Sequence, residues 1–471
     1  MIRFRIAALT LPALALGACS MAPKYVAPTP PVAASWPVGD AYLAQSEAAL
    51  PLVSYTEIFR DRRLQSLVEQ ALANNRDLRV AAANLAAARA QVRVVRANQF
   101  PAVGVSGSAS RTETNGGSTG SATSGDRSSY SLQGGISSFE LDFFGKYASA
   151  TAAQRNTALS TEAAARTVRL GLVADLAQAW ATYAADKDLL RIAEATAANA
   201  ERSVTLTGAR LKGGIAPRTD LRQAEQVLET ARGDVASQTT ALAQDINAIR
   251  LLVGADFDES LLPGSVDEVN QSLAVLPAGT NSQVLLRRPD VVEAEYSLRA
   301  ANADIGTARA ELFPSISLTG LLGFASDALS ALFDKGAFAA TGTAAASWSI
   351  FNAGGRSANV EVAKAQRDAA LATYEKAIQT AFREVSDALA DQGTLSERLR
   401  AATGFTAAAS DSARLTEASY RQGITSSLEN LDAQRSLYSA RQQEIAVRLA
   451  VASNRITLYR VLGGDQATPA P

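Results

Sequence analysis

Histidine is absent from this 471-residue sequence, cysteine occurs once and methionine twice. The chain therefore lacks the commonest metal ligand and the side chain most often used as a general base near neutral pH. A single cysteine cannot form an intramolecular disulfide, a zinc knuckle or an iron–sulfur site. Neither sign of charge is in surplus: 45 Lys and Arg stand against 46 Asp and Glu, whereas a nucleic-acid binder would show a basic face or stripe. No metal, cofactor or catalytic residue is expected, and no nucleotide loop of the GxxxxGKS type occurs. Outside the amino terminus no run of 18 or more apolar residues is present. A membrane-crossing chain of this kind must use a closed β-barrel. Proline is missing between Pro101 and Pro217 and again between Pro314 and Pro469; the second gap is 154 residues long. Average usage would place about seven or eight prolines in it.

What is abundant is alanine, 96 of 471 residues. At the amino terminus, Arg3 and Arg5 precede an apolar run from Ile6 to Leu16, the layout of a signal peptide. It ends in Leu16-Gly17-Ala18-Cys19, which looks like a bacterial lipobox with the only cysteine at the position that is acylated. Residues 1–18 are expected to be removed, taking two of the 45 basic residues and leaving 43 against 46 acidic ones. Ser20 follows the cysteine, a residue permissive for the outer membrane, and six prolines between Ala22 and Pro51 suggest an extended tether, placed at 19–58.

The rest of the sequence repeats. Ala97-Asn98-Gln99-Phe100-Pro101 matches Ala310-Glu311-Leu312-Phe313-Pro314 at an offset of 213, with Asp77 on Asp290. At an offset of 209, Gly214-Ile215 matches Gly423-Ile424, Ala224 matches Ala433 and Gly254 matches Gly463. So long a period excludes a solenoid and indicates one large unit duplicated. The expected repeats are 59–263 and 282–465, joined by a linker at 264–281 and followed by a tail at 466–471. Each repeat holds a helix ending at Phe-Pro, two strands, and a very long helical hairpin. The strands are expected at about 102–112, 128–143, 315–325 and 338–351, and the hairpins at about 146–254 and 355–463.

Apolar periodicity supports the hairpins. Leu172, Leu176, Ala179, Tyr183, Leu190, Ala193, Ala197, Ala200, Val204 and Leu211 follow a 4-3 alternation, broken by polar Asp186 and Thr207. Ala381, Val385, Ala388, Leu395, Leu399, Ala402, Ala409, Ala413 and Tyr420 repeat the pattern. A sustained alternation of this kind is a coiled-coil seam, and alanine permits close approach with high helix propensity. Lys212-Gly213-Gly214 and Gly423 mark the hairpin turns, with Pro217 placed for the next helix's first turn and Ser426 with Glu429 at capping-box spacing. The strand segments alternate small or apolar residues with polar ones over about ten residues, and Phe139, Phe143, Phe144, Trp348 and Phe351 lie where an aromatic girdle would fall. A small soluble sandwich fits the same alternation but leaves the lipid anchor unexplained. Four strands are too few for a barrel of one chain, since membrane barrels begin at about eight; the Gly-, Ser- and Thr-rich Thr112–Ser128 stretch then becomes an exposed tip.

Leu285-Leu286-Arg287-Arg288-Pro289-Asp290-Val291, Ala294-Glu295, Ile305 to Ala310 and Phe313-Pro314 resemble the signature of RND-type outer-membrane factor lipoproteins of the TolC, OprM and NodT kind. Trp348-Ser349-Ile350-Phe351 with Gly354-Gly355-Arg356, and Tyr420-Arg421-Gln422-Gly423, extend the likeness across nearly the whole mature chain. The resemblance implies an α+β membrane protein: a homotrimer with four strands per chain in a twelve-stranded outer-membrane barrel, continued by an α-helical coiled-coil tunnel in the periplasm. It implies partners as well, a periplasmic adaptor and an inner-membrane RND pump, with membrane lipid attached through Cys19, and export of drugs or other small toxic compounds. A TolC-like outlet for type I protein secretion, or a structural envelope lipoprotein, are the alternatives. The resemblance also places a periplasmic gate at Tyr420, Leu428, Asp432 and Arg435, whose first-repeat equivalents are Leu211, Thr219, Gln223 and Gln226. The ionic pair is thus confined to the second repeat. Spacing alone reads Asp432 and Arg435 as an ordinary surface pair worth a few tenths of a kcal/mol.

Overall fold

The computed structural model describes residues 20–33, 35–42, 54–112, 127–275 and 282–464. The signal peptide at 1–18, Cys19, most of the Thr112–Ser128 stretch and the 466–471 tail lie outside these residues. In chain order the elements are α1 (Tyr55–Ile58), α2 (Arg62–Asn74), α3 (Arg76–Ala97), β1 (Val103–Thr112), β2 (Arg127–Leu141), α4 (Lys146–Lys212), α5 (Arg218–Val253) and α6 (Val266–Ser272). They continue with α7 (Pro289–Ala310), β3 (Ser315–Ser326), β4 (Phe338–Ser347), α8 (Gly355–Arg421) and α9 (Ser427–Val461). The proline-free stretches hold the four strands, α9 and the two longest helices, α4 and α8, each 67 residues long, or about 100 Å at 1.5 Å per residue.

The chain divides into two units that cut across the repeats, because each repeat threads through both. One unit comprises residues up to Pro28, Leu85–Thr161 and Ala294–Tyr374; the other comprises Thr29–Asn84, Glu162–Glu293 and Glu375–Pro471.

The first unit holds the sheet, an antiparallel meander in the order β1-β2-β3-β4. Its register pairs Gly107 with Leu132, Gly134 with Leu322 and Gly320 with Gly342. The β2–β3 ladder shifts between Ile136 and Phe139, a bulge of the kind that bends a strand. Every residue of β1 and of β4 is exposed, and among the described residues their outer edges have no partner strand. At the sheet's base Phe144 stacks on Phe313 with ring centroids 4.6 Å apart, and Trp348 Nε1 donates to the Leu312 carbonyl at 3.1 Å. Residues 20–28 run against α7: Arg309 donates to the Met21 carbonyl at 3.1 Å, Asn302 to that of Pro23 at 2.7 Å, and the Arg299 guanidinium lies 4.9 Å from the Tyr25 ring.

The second unit is helical, and its core gathers Leu64 and Leu67 of α2, Trp180 of α4, Ile249 of α5, Ile378 of α8 and Tyr459 of α9, all fully buried. Eight of the nine second-repeat seam residues are buried, Leu399 being half-buried. Around Leu172–Ala185, α4 is buried on a wider face than the seam suggests, and Trp180 Nε1 donates at 3.0 Å to the carbonyl of Leu261. The expected linker at 264–281 contains α6: the Ser265 side chain accepts from Glu268 N at 3.3 Å and caps the helix, while Val266 N donates to buried Asp188 at 2.9 Å. The 19–58 segment also differs from a free tether. It includes α1, Trp36 is buried against Phe382 at 5.0 Å, and Ser282 donates to the Ala33 carbonyl at 2.7 Å. A carbonyl oxygen takes a hydrogen bond whatever side chain precedes it, which explains why composition alone did not show this docking.

The duplication reappears as a matched bond. Asn75 Nδ2 donates to the carbonyl of Leu252 at 2.8 Å, and at offsets of 213 and 209 Arg288 Nη1 donates to that of Val461 at 3.0 Å. Both hold the start of a helix, α3 or α7, onto the end of a hairpin, α5 or α9. Arginine reaches further: its Nε and Nη2 grip Asp290 at 3.0 and 2.7 Å, and Nη2 meets Glu384 of α8 at 2.8 Å. That network gives the Arg-Arg-Pro-Asp stretch its structural role.

Candidate functional site

The two hairpin tips lie in the helical unit and are built alike. Gly214 and Gly423 have φ of 76° and 78°, a left-handed conformation that glycine adopts without a Cβ clash. Ile215 N donates to the Arg210 carbonyl and Gly214 N to that of Leu211, each at 3.0 Å; Ile424 N to Ser419 at 2.9 Å and Gly423 N to Tyr420 at 3.0 Å repeat the pair. Both are Schellman closures of a helix end. Pro217 stands at the N-cap of α5, one residue before the expected first turn, and Ser426 Oγ accepts from Glu429 N at 3.2 Å to cap α9.

The four expected gate residues separate into two sets. Tyr420, at the end of α8, is buried against α4: its hydroxyl lies 3.3 Å from Thr207 Oγ1 and its ring 4.2 Å from the Arg210 guanidinium. Arg210 Nη2 also donates to the carbonyls of Tyr420 at 2.7 Å and Arg421 at 3.2 Å. A cation thus sits on the negative end of α8 and on an aromatic face. Leu428, Asp432 and Arg435 lie on α9 and are exposed, Leu428 to 57%. Arg435 Nη2 donates to Asp432 Oδ1 at 2.9 Å within the same helix.

Leu428 and Arg435 border a cavity of ≈ 320 Å³ whose opposite wall carries Gln223 and Gln226 of α5, the first-repeat equivalents of Asp432 and Arg435. Tyr438, which also lines the cavity, donates to Asp234 of α5 at 2.8 Å, and burial followed by the nearby carboxylate pushes the Tyr438 hydroxyl pKa up. The sequence contained a signal for one missed contact: Thr207 was the polar break in an apolar seam, and the Tyr420 hydroxyl explains it. Asp186, the other break, faces Asp245 of α5, and burial together with the neighbouring charge pushes Asp245 up to about 7. Arg210 had no pattern to reveal it. Among the described residues no group of acidic or cysteine side chains is placed to hold a metal, and no helix is long and apolar enough to cross a membrane.

A four-stranded sheet open at both edges, combined with two helical hairpins led by 67-residue helices, defines one protomer of an outer-membrane channel. The sequence matches the family described as "Outer membrane efflux protein" over residues 67–255 and 281–464. It is 43% identical over 458 residues to the antibiotic efflux pump outer membrane protein ArpC of Pseudomonas putida, covering 97% of this chain and 94% of that one. It is 37% identical over 452 residues to the cation efflux system protein CusC of Escherichia coli strain K12, covering 96% and 97%. The open state of the MtrE outer membrane channel of Neisseria gonorrhoeae superposes with a TM-score of 0.83 at 32% identity, over 95% of this chain and 99% of that one. The chain belongs to the outer membrane efflux protein family and is an outer-membrane channel component of an efflux pump.

Proposed function

We propose that three copies of this chain form the passive exit duct of a tripartite RND-type system exporting antibiotics or other small toxic compounds. The observation that carries this reading is the sheet, whose β1 and β4 have, among the described residues, no outer partner and no covered face. Three such sheets joined edge to edge give twelve strands, above the minimum of about eight for a membrane barrel, and closure removes the exposed edges. The long helices then extend the conduit into the periplasm, where it meets an adaptor and an inner-membrane pump. Acylation of Cys19 anchors each copy to the outer membrane. Names of relatives support small toxic cargo, antibiotics for one and cations for another, while the pump and adaptor do most of the selecting.

In this reading Tyr420, Leu428, Asp432 and Arg435 close the periplasmic end. Leu428 contributes an apolar ring that excludes water. Asp432 and Arg435, both solvent-accessible, exchange their in-helix pairing for partners on neighbouring helices and release them on opening. The test is conductance of purified trimers in planar bilayers. Asp432→Ala combined with Arg435→Ala is expected to raise resting conductance several-fold; a double variant as tight as the parent refutes the latch.

A further inference from the structure

Gly354-Gly355-Arg356 takes no part in strand pairing or in the hairpin tips. In the sheet-bearing unit Arg356 borders a cavity of ≈ 270 Å³ that Glu140, Asp142, Lys146, Glu311 and Phe313 also line. Here β2 ends at Leu141, β3 begins at Ser315, and α4 and α8 begin at Lys146 and Gly355. The same junctions carry the exposed rings of Phe143, Phe313, Trp348 and Phe351, as expected at a membrane–water boundary. Among the described residues two enclosed charged atoms, Asp142 Oδ1 and Arg356 Nη1, have no hydrogen-bond partner. The other Asp142 oxygen accepts from Ala148 N at 2.8 Å, which fixes the carboxylate while leaving Oδ1 unused. Enclosed charges left unmatched are costly, and the space greatly exceeds that needed for one water.

Charges of both signs line the cavity. Lys146 stands 3.7 Å from Glu140, while Arg356 is a cation with an unused donor and Asp142 an anion with an unused acceptor. We propose that the cavity binds the headgroup of an aminophospholipid, its phosphate on Arg356 and Lys146 and its primary ammonium on Asp142 and Glu311. The proposal rests on the reading that the sheet lies in the membrane. Guanidinium pairs strongly with phosphate. A primary ammonium brings N–H donors to the carboxylates; a trimethylated choline has none, and a glycerol headgroup lacks the positive charge.

The full-length trimer, exchanged into lipid-free detergent, is titrated with phosphatidylethanolamine, phosphatidylcholine or phosphatidylglycerol, and bound lipids are counted by native mass spectrometry. The ethanolamine lipid is expected to bind about tenfold more tightly than the others. That preference is expected to vanish in Asp142→Asn, which keeps an acceptor for Ala148, whereas Arg356→Gln is expected to weaken all three lipids together. Equal binding of all three lipids, or a preference surviving in the double variant, overturns the proposal. So does a lowered trimer dissociation temperature with unchanged lipid binding, which would place a neighbouring copy in the cavity. Planar-bilayer pores are recorded on the same samples. Pores without lipid preference sink the site alone, whereas a parent protein that forms no pores sinks the membrane reading with it.

Discussion

Replacing Arg288 by alanine tests the matched bond between the repeats most directly. The arginine side chain is 8% exposed, whereas its carboxylate partners Asp290 and Glu384 are 37% and 35% exposed. Truncation strands the Val461 carbonyl, for which an unsatisfied buried acceptor costs about 1–3 kcal/mol. The two ion pairs add less than fully buried ones because water reaches both carboxylates, and Asp290 Oδ1 still accepts from Val291 N at 3.0 Å. The total expected loss is about 2–4 kcal/mol, short of the range for breaking a fully buried pair from one side. For a unit of this size that corresponds to roughly 4–16 °C in unfolding temperature, measured by scanning fluorimetry in detergent and by the temperature at which trimers dissociate. Arg288→Lys, which cannot reproduce the fork on Asp290, should fall between the parent and Arg288→Ala. Asn75→Ala, the first-repeat counterpart, should lose only the share of its Leu252 bond and of its contacts to Asp77 N and Leu78 N. An Arg288→Ala protein melting within about 2 °C of the parent refutes the reasoning, as does one no less stable than Asn75→Ala.

Arg210→Ala removes the cation from the Tyr420 ring and from two helix-end carbonyls. Amide exchange at Gly423 and Ile424 should speed up about tenfold, and unchanged protection by mass spectrometry would count against the clamp. Asp245 binds its proton more tightly folded, at about 7, than at its ordinary value of 3.8, so its contribution to stability declines as pH rises between these values. Asp245→Asn should raise the unfolding temperature most at pH 8 and progressively less down to pH 4; equal shifts at pH 8 and pH 4 would refute the pairing with Asp186. At Gly393 an added Cβ would lie 2.0 Å from the Ala41 carbonyl oxygen, so Gly393→Val should expel the neighbouring amino-terminal segment and expose it to limited proteolysis, an effect absent if that docking is incidental.

The duplication, the long helices and the strand alternation were legible in the sequence because each is a repeated pattern. Tyr420 and its seam neighbours from Ala381 to Ala413 belong to a 3-4 alternation that burial enforces over about eleven turns of helix. The sheet's open edges followed from counting strands. Other features depend on single residues meeting across long separations. Arg210 reaches Tyr420 across a sequence separation of 210, and no local spacing anticipates it. The α6 helix was legible in principle, since Ser265 and Glu268 have capping-box spacing, but seven residues are too few to show a period. At the gate, the sequence identified Asp432 and Arg435 as unique to the second repeat, while their exposure and mutual pairing required coordinates.

Among the contacts that the amino-terminal stretch makes with the helical unit are the Ala33 carbonyl, the stacked Trp36 ring and the close backbone approach of Ala41 to Gly393. Two of those three contacts ignore side-chain identity. Substitutions at Ala33 and Ala41 should therefore be tolerated, whereas insertion or deletion of one residue between them throws Trp36 out of phase with Phe382. Its information content lies in spacing, as in a ruler, rather than in its letters.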